Sequence, residues 1–238
     1  MQEYLDLVKL VLDHGTLKKS RTGIDTISYF GAHYKVDLAQ GFPLLTTKEV
    51  VWNSLLHELL WYLSGEDHIR NLRQHTKIWD AWADEHGNLE TAYGRYWRRF
   101  PHPYQDEAGH WQVREVDQIQ FVLDTLRKEP TSRRMVVTAW EPGNATTSKL
   151  PPCHYSFVFN VQGNRLNCHL TQRSGDIALG IPFNLACYAT LTQMLAQEVG
   201  LQVGHFSHTI VDAHIYTAAP GSGQEIGRAH RLNSSHRT

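Results

Sequence analysis

Residues 154–173, HYSFVFNVQGNRLNCHLTQR, contain two runs in which apolar and polar side chains alternate on either side of Gly163-Asn164. That pattern is typical of two antiparallel strands joined by a tight turn. Residues 183–199 follow as a long apolar helix, and residues 206–216 alternate again. The order of hairpin, helix and strand predicts a sheet that is covered by a helix.

The segments before the hairpin add a helix and a strand. Leu5, Val8 and Leu12 recur at helical spacing and predict an N-terminal helix that Gly15 closes. Residues 24–36 are rich in Thr, Ile, Tyr and Phe and have few breakers, which favours an extended strand. Both elements are long enough to contribute to one core.

A second helix is predicted over residues 50–63. Thr46 is followed three residues later by Glu49, which is the spacing of a capping box and indicates a helix start. The residues after it are apolar almost all round, so we place this helix in the core.

The central segments are less regular. Residues 76–114 have no clean period and predict loops and short turns, whereas residues 119–126 predict a short amphipathic helix. Residues 135–140 predict a strand, and residues 143–152 predict a loop rich in turn residues. Because no regular βαβ repeat occurs, we predict an α+β fold: one domain with a mixed or antiparallel twisted sheet packed against long core helices.

Composition excludes several classes of protein. The chain has 238 residues and a formal net charge of −1, which argues against binding to nucleic acid through bulk positive charge. No apolar run approaches the roughly 18–20 residues of a membrane span. Three cysteines without a Cys-x-x-Cys pair make a disulfide framework improbable, so we expect a cytoplasmic protein.

The last stretch differs from the rest. Residues 217–238, TAAPGSGQEIGRAHRLNSSHRT, have no hydrophobic period and begin with turn residues. We therefore predict a domain over residues 1–216, followed by a tail that is disordered or a cloning scar.

Cys153 is the candidate nucleophile. It follows Pro151-Pro152 and lies outside any apolar period, whereas Cys168 and Cys187 fit the pattern of small buried hydrophobic residues. A thiol becomes nucleophilic when nearby cations lower its pKa.

Several arginines lie where predicted elements begin or end and could supply such cations. Arg21 is in a loop with a glycine, Arg133 and Arg134 precede a strand, and Arg173 ends one beside Ser174. A single arginine is usually a solvated charge, but arginines together with serine and backbone amides suit phosphate capture.

Other polar residues lie where a ligand could meet them. Glu58 on the core helix would be partly desolvated, which raises its pKa toward the range useful for proton transfer; a partnered structural glutamate is the alternative. Asp212, His214 and Tyr216 alternate on the last strand and share one face, which suits a sugar or base, or else is the wet face of a sheet. Asn184 could present a donor and an acceptor together, or serve as a helix N-cap.

The 15 histidines raise the question of a metal. A nucleobase deaminase would need His-x-Glu and Pro-Cys-x-x-Cys, but here His57 and Glu58 are adjacent and Cys153 has no second cysteine after it. We predict no metal site. From the residues alone, the chain is predicted to be an enzyme that acts on a phosphorylated small molecule.

A series of short motifs over residues 1–216 then indicates a family. The stretches are Arg21-Thr22-Gly23, FPLLTTK at 42–48, HELLW at 57–61, IWDAWAD at 78–84, Tyr93-Gly94, Ser132-Arg133-Arg134, Pro152-Cys153-His154, QRSGD at 172–176, GIPFN at 180–184 and DAHIY at 212–216. In these residues and in their order, the sequence resembles the folate-dependent thymidylate synthases.

The resemblance implies a homodimer that methylates dUMP to dTMP. The carbon and the hydride would both come from 5,10-methylenetetrahydrofolate, which leaves as dihydrofolate, and no metal is implied. Cys153 would add to carbon 6 of the uracil, and Glu58 would relay protons through ordered water. Tyr93 and His154 would support the thiol and the water network, and Asp176 and Asn184 complete the implied catalytic set.

The resemblance also implies the binding residues. Besides Cys153, those for dUMP would be Arg21, Gln172, Arg173, Ser174, Asp176, Asn184, His214 and Tyr216, with Arg133 and Arg134 contributed by the partner subunit. Those for folate would be Glu58, Ile78, Trp79, Trp82, Asp176, Leu179, Gly180 and Phe183.

The C-terminus departs from the family. After Tyr216 family members continue with more sheet and a segment that closes over both ligands, and lid closure excludes water and completes a site. The sequence therefore predicts a chain that binds dUMP and turns it over poorly.

Three other functions share some of these sequence features. Deoxycytidylate hydroxymethylase shares the fold and cofactor, but the amide of Asn184 suits uracil, whereas a carboxylate there would suit cytosine. For a nucleotide- or RNA-binding remnant without catalysis, the near-neutral charge argues against RNA as the main partner, but the departure of the C-terminus from the family keeps a binding-only function open. A Cys–His hydrolase is disfavoured because Cys153 and His154, adjacent on an extended segment, would point to opposite faces.

Overall fold

The computed structural model describes residues 2–19, 24–90 and 92–217, which contain six helices and eight strands. Short 3₁₀ turns at Leu38–Gln40 and Leu72–Gln74 join them. In chain order the elements are α1 Gln2–His14, β1 Thr16–Lys18, β2 Thr26–Asp37, α2 Trp52–Ser64, α3 Tyr93–Arg98, β3 Phe100–Gln105, β4 Trp111–Val116, α4 Gln118–Lys128, β5 Val136–Thr138, α5 Asn144–Thr147, β6 His154–Gln162, β7 Arg165–Asp176, α6 Gly180–Glu198 and β8 Gln202–Tyr216.

The main sheet has six strands in the order β1-β2-β8-β7-β6-β5. All neighbours are antiparallel except β7 and β8, which pair in parallel because α6 carries the chain back between them. The predicted hairpin is confirmed as β6–β7, with Gly163 at a φ of 61° in the turn. The predicted mixed α+β fold is confirmed as well.

The core lies between the helices and one face of this sheet. Phe157, Phe159 and Phe206 from the strands are fully buried, as are Tyr188 from α6 and Leu55 from α2. Burying a large apolar side chain stabilises a fold by about 1.5–3 kcal/mol relative to leaving it exposed. In the part of the chain that the structure describes, no helix is both long and apolar enough to cross a membrane.

The predicted N-terminal helix is confirmed as α1, although the residues that it buries are not the three whose spacing predicted it. Tyr4, Leu7 and Val11 face the core, whereas Leu5 and Leu12 are exposed. Both stripes have helical spacing, so the sequence pattern does not choose between them. Packing does, because the Tyr4 hydroxyl donates to the backbone carbonyl that follows β7.

The predicted start and burial of α2 need correction too. The helix begins at Trp52 without a side-chain cap, so the Thr46–Glu49 capping box does not form. The segment before α2 is instead fixed by Lys48, whose ammonium donates to the carbonyl of Ala178. Nor is α2 buried all round, since Trp52 and Leu60 are exposed.

Residues 76–114 are more ordered than predicted. They contain helix α3 and the two-stranded sheet β3–β4, and residues 143–152 contain the short helix α5. Pro101 and Pro103 mask the strand pattern of β3, but a strand with one neighbour tolerates proline because it has a free edge. Helix α3 contributes buried aromatic residues, including Tyr93 and Trp97.

Candidate active site

A cavity of about 220 Å³ lies between α2, the segment around Trp79 and the first turns of α6. Of the residues predicted to bind folate, all except Trp82 and Asp176 line it. The full lining is Glu58, Tyr62, Ile78, Trp79, His154, Leu179, Gly180, Phe183, Asn184 and Cys187.

Trp82 and Asp176 lie beside this cavity. Trp82 lines a neighbouring cavity together with Trp79, which the two cavities share. The Asp176 carboxylate accepts hydrogen bonds from the backbone N–H groups of Ala178 and Leu179 at 2.9 and 3.2 Å. Asp176 therefore shapes the turn that leads into α6.

Glu58 is half-buried on α2 with its carboxylate at the cavity. Its Oε1 accepts a hydrogen bond from Trp79 Nε1 at 2.7 Å. The sequence left open whether Glu58 meets a ligand or is a partnered structural glutamate. In the structure it has a partner and also lines the cavity. Burial, and next the charge of Glu58, raise the pKa of the Cys187 thiol well above its ordinary value.

The three cysteines differ as predicted. Cys168 and Cys187 are buried, and Cys153 is partly exposed. Burial raises the pKa of Cys168 to about 12, so this thiol stays protonated at neutral pH. The backbone N–H of Cys153 donates to the hydroxyl of Tyr93 at 2.8 Å, which ties the segment to α3.

Arg173 is fixed against the segment that carries Cys153. Its Nε donates to the carbonyl of Pro152 at 2.9 Å and its Nη2 to that of Pro151 at 2.7 Å. Its backbone N–H donates to the carbonyl of Cys153 at 2.9 Å. A guanidinium has five N–H groups, so Arg173 retains further donors for an anion while it positions the thiol segment.

His154 is a buried neutral residue. Its Nδ1 hydrogen-bonds the hydroxyl of Tyr188 at 2.8 Å, and its ring stacks on Tyr93 with centroids 3.7 Å apart. Burial lowers the pKa of His154 to about 3. Because so weak a base does not deprotonate a thiol at neutral pH, this environment also argues against a Cys–His hydrolase.

Asn184 projects into the cavity from the first turns of α6. The N-cap alternative is wrong, because the cap position is Leu179 and no side chain caps it. Asn184 Oδ1 accepts a hydrogen bond from Gln172 Nε2 at 3.2 Å, and the same nitrogen donates to the carbonyl of Ser174 at 2.9 Å. Gln172 and Asn184 are therefore brought together, as expected for two residues of one site.

The polar residues of β8 form a separate group. The rings of His214 and Tyr216 meet edge to face at 5.2 Å. Asp212 accepts hydrogen bonds from Lys18 and Ser28 at 2.6 and 2.8 Å. Although burial alone would raise the pKa of Asp212, these hydrogen bonds lower it below its ordinary value, so the carboxylate is charged.

Two of the other predicted arginines lie away from the cavity. Arg133 and Arg134 are exposed and precede the edge strand β5. Arg21 lies outside the described residues. Among the arginines in the described ranges, the structure thus places Arg173 beside Cys153 and leaves Arg133 and Arg134 at the surface.

Three further residues belong to this region and were not predicted from the sequence. Tyr62 and Cys187 line the cavity, and Tyr188 holds the His154 ring. A signal was present for all three. Cys187 and Tyr188 follow Asn184 at helical spacings of three and four on α6, and Tyr62 follows Glu58 at a spacing of four on α2.

Comparison with known proteins identifies a family. The family model described as thymidylate synthase matches residues 2–231. The chain belongs to the thymidylate synthase family. A curated thymidylate synthase from Haloferax volcanii is 59% identical over an alignment of 235 residues, which covers 93% of this chain and 69% of that relative. Thymidylate synthases are methyltransferases, so the predicted enzyme class is confirmed at the level of the family.

The match bears on the alternatives as well. Nothing in these comparisons favours deoxycytidylate hydroxymethylase or a binding remnant. The family match extends past Tyr216, where the quoted motifs end. The predictions for the tail concern residues that lie outside the described part of the chain, apart from Thr217, whose N–H donates to the carbonyl of Asp25 at 2.8 Å.

Proposed function

We propose that this chain converts dUMP to dTMP with 5,10-methylenetetrahydrofolate as the donor of both the carbon and the hydride. The observation that carries the proposal is that Glu58, Asn184 and His154 line one cavity. His154 adjoins Cys153 on the segment that Arg173 and Tyr93 hold in place.

Cys153 is the nucleophile in this proposal. Its thiol is the partly exposed one of the three, whereas burial keeps the other two thiols protonated. Sγ bonds to carbon 6 of the uracil, and the electrons of the 5,6 double bond move toward carbon 5 and oxygen 4. Carbon 5 thereby becomes nucleophilic.

Asn184 reads the uracil and stabilises the charge that develops on it. Its amide nitrogen donates to oxygen 4, and its Oδ1, which already accepts from Gln172, accepts from N3–H with its second lone pair. A donor aimed at the oxygen on which charge builds lowers the barrier, because it binds the transition state better than the ground state.

The lining of the cavity suits the fused ring of a reduced folate. Trp79, Phe183 and Leu179 give it flat apolar walls, and Glu58 adds one carboxylate for a polar ring edge. When bound, the folate supplies the one-carbon unit and the hydride. The bond from Trp79 fixes one oxygen of Glu58, and the carboxylate accepts the proton lost from carbon 5 through ordered water.

The phosphate and ribose are held at the other end. Arg21, Arg173 and Ser174 bind the phosphate, with Arg133 and Arg134 reaching it from the partner subunit of a homodimer. The exposure of Arg133 and Arg134 beside an edge strand supports this role. His214 and Tyr216 bind the ribose hydroxyl, Tyr93 and His154 support the thiol, and the site operates in the cytoplasm.

The test is formation of dTMP and dihydrofolate by the purified chain. Cys153→Ser should abolish product, and Glu58→Gln should lower kcat by about 10²–10⁴-fold while dUMP still binds, because it removes a general base. Cys168→Ser is the matched control and should retain activity. A wild-type chain that forms hydroxymethylated dCMP instead, or a fully active Cys153→Ser variant, would contradict the proposal.

A further inference from the structure

A buried chain of hydrogen bonds ends at Asn184. The Tyr34 hydroxyl on β2 meets His208 Nδ1 on β8 at 2.9 Å, and His208 Nε2 meets Gln172 Oε1 on β7 at 3.0 Å. Gln172 Nε2 then donates to Asn184 Oδ1 at 3.2 Å. His208 is 0% exposed, Gln172 4% and Tyr34 6%, so water does not compete for these bonds.

The backbone carbonyl of Ser174 determines which partner donates in each bond of this hydrogen-bond chain. This carbonyl can only accept a hydrogen bond, so the Gln172 atom that contacts it at 2.9 Å is the amide nitrogen. Gln172 Oε1 therefore faces His208 and needs a donor. His208 carries its proton on Nε2, and its Nδ1 accepts from the Tyr34 hydroxyl.

Both residues at the start of the chain are held neutral. Burial, and then the neighbouring His154, His169 and His33, lower the pKa of His208 well below its ordinary value. Burial, and then the charge of Tyr4, raise the pKa of Tyr34. Each group has a single protonation state at neutral pH, so the donors and acceptors along the hydrogen-bond chain do not exchange roles.

We propose that Tyr34 and His208 are positioning residues that fix the amide of Gln172 and, through it, the orientation of Asn184. This inference rests on the proposed function. With the chain intact, Asn184 turns its oxygen to Gln172 and leaves its nitrogen to donate to oxygen 4 of uracil. If Gln172 were reversed, the Asn184 amide would reverse with it and offer an acceptor that suits the amino group of cytosine.

The first test is the tautomer of His208, which does not depend on any substrate. Long-range proton–nitrogen correlation spectra of histidine side chains distinguish the two tautomers, and His208→Gln identifies the resonance. We expect proton occupancy on Nε2 throughout the neutral pH range. A proton on Nδ1 would reverse the chain and overturn the proposal.

The second test is discrimination between dUMP and dCMP. Tyr34→Phe removes the hydroxyl that holds His208, and the ratio of the two dissociation constants should fall by about ten-fold, roughly the worth of one hydrogen bond. Tyr96→Phe is the matched control, because Tyr96 is also buried and its hydroxyl accepts from Asn144 outside this chain of bonds. An unchanged ratio in Tyr34→Phe would overturn the proposal.

Conservative rescue separates positioning from packing. His208→Gln keeps a donor for Gln172 and an acceptor for Tyr34, so it should retain most of the discrimination, whereas His208→Leu should lose it. Equal losses in both variants would contradict the positioning role. A wild-type protein that binds neither nucleotide would instead refute the proposed function. The tautomer of His208 would still test the direction of the hydrogen-bond chain in that case.

Discussion

Burial makes His154 a neutral side chain at a position where its charge would be costly. Its pKa is lowered to about 3 from an ordinary value of 6.5, so the unfolded chain binds a proton at a pH where the folded chain does not. The stability that results is present above pH 6.5 and is lost as the pH falls toward 3.

This shift predicts how stability depends on pH. The free energy of unfolding of the wild type should fall relative to that of His154→Asn by about 1.4 kcal/mol per pH unit within that window, the slope for one proton. Urea denaturation at a series of pH values measures it. Parallel curves for the two proteins would show that His154 titrates alike in both states.

Several candidate site residues could be picked out from the sequence alone. Cys153 stood out because no apolar period surrounds it, and Asn184 because it opens an apolar helix. Tyr34 and His208 gave no such signal, since each occupies an apolar face of a strand and takes its role from a partner on another strand. Contacts between side chains distant in sequence are not visible in a local pattern.

Helices α2 and α3 meet at a glycine, and this contact joins two parts of the site. A Cβ at Gly94 would lie 2.5 Å from the backbone oxygen of Tyr62, which is closer than packed atoms allow. Because α2 carries Glu58 and α3 carries Tyr93, their spacing sets the distance between the proton acceptor and the thiol segment.

Gly94→Ala should therefore lower both stability and activity. We expect a loss of about 1–3 kcal/mol from overpacking, despite the better helix propensity of alanine. Gly143→Ala is the control, because its Cβ would meet only the flexible end of Glu141. Urea midpoints measure the effect, and equal midpoints for the two variants would contradict the close contact.

Helices and strands could be predicted where the hydrophobic periodicity and the turn residues at the ends indicated the same element. The β6–β7 hairpin and α6 satisfy both conditions, and both are confirmed. Helix α3 and the β3–β4 hairpin were missed because prolines and a dense aromatic run conceal their periods. The parallel pairing of β7 with β8 depends on the crossover through α6. The alternation of apolar and polar residues within a strand does not indicate which strand it pairs with.

At the scale of the whole molecule, the proposed dimer predicts complementation between two inactive variants. If Arg133 and Arg134 act in the partner's site, an Arg133→Ala/Arg134→Ala chain mixed with Cys153→Ala should form heterodimers in which one site is complete. After subunit exchange, activity should reach about one quarter of the wild-type level, because about one site in four is intact.

The control is each variant mixed with itself, which should remain inactive. Mixtures that never exceed the activity of the separate variants would show that the arginines do not act across subunits.

The site as a whole depends on long-range order. Its residues come from α2, the segment around Trp79, the start of β6, β7 and α6, and the sheet brings them together. Composition and periodicity predicted the sheet and the layer of helices, but not which side chains converge. The family motifs supplied that set, and the cavity gathers most of the predicted folate residues.

The central claim is that Cys153 forms a covalent bond to the uracil ring in the presence of the folate. The most direct measurement is a denaturing mass spectrum after incubation with 5-fluoro-dUMP and 5,10-methylenetetrahydrofolate, since fluorine at carbon 5 is not lost as a proton is. We predict a mass increase equal to both ligands in the wild type and in Cys168→Ala, and none in Cys153→Ala. A folded wild type without the adduct, or an adduct that persists in Cys153→Ala, would contradict the account.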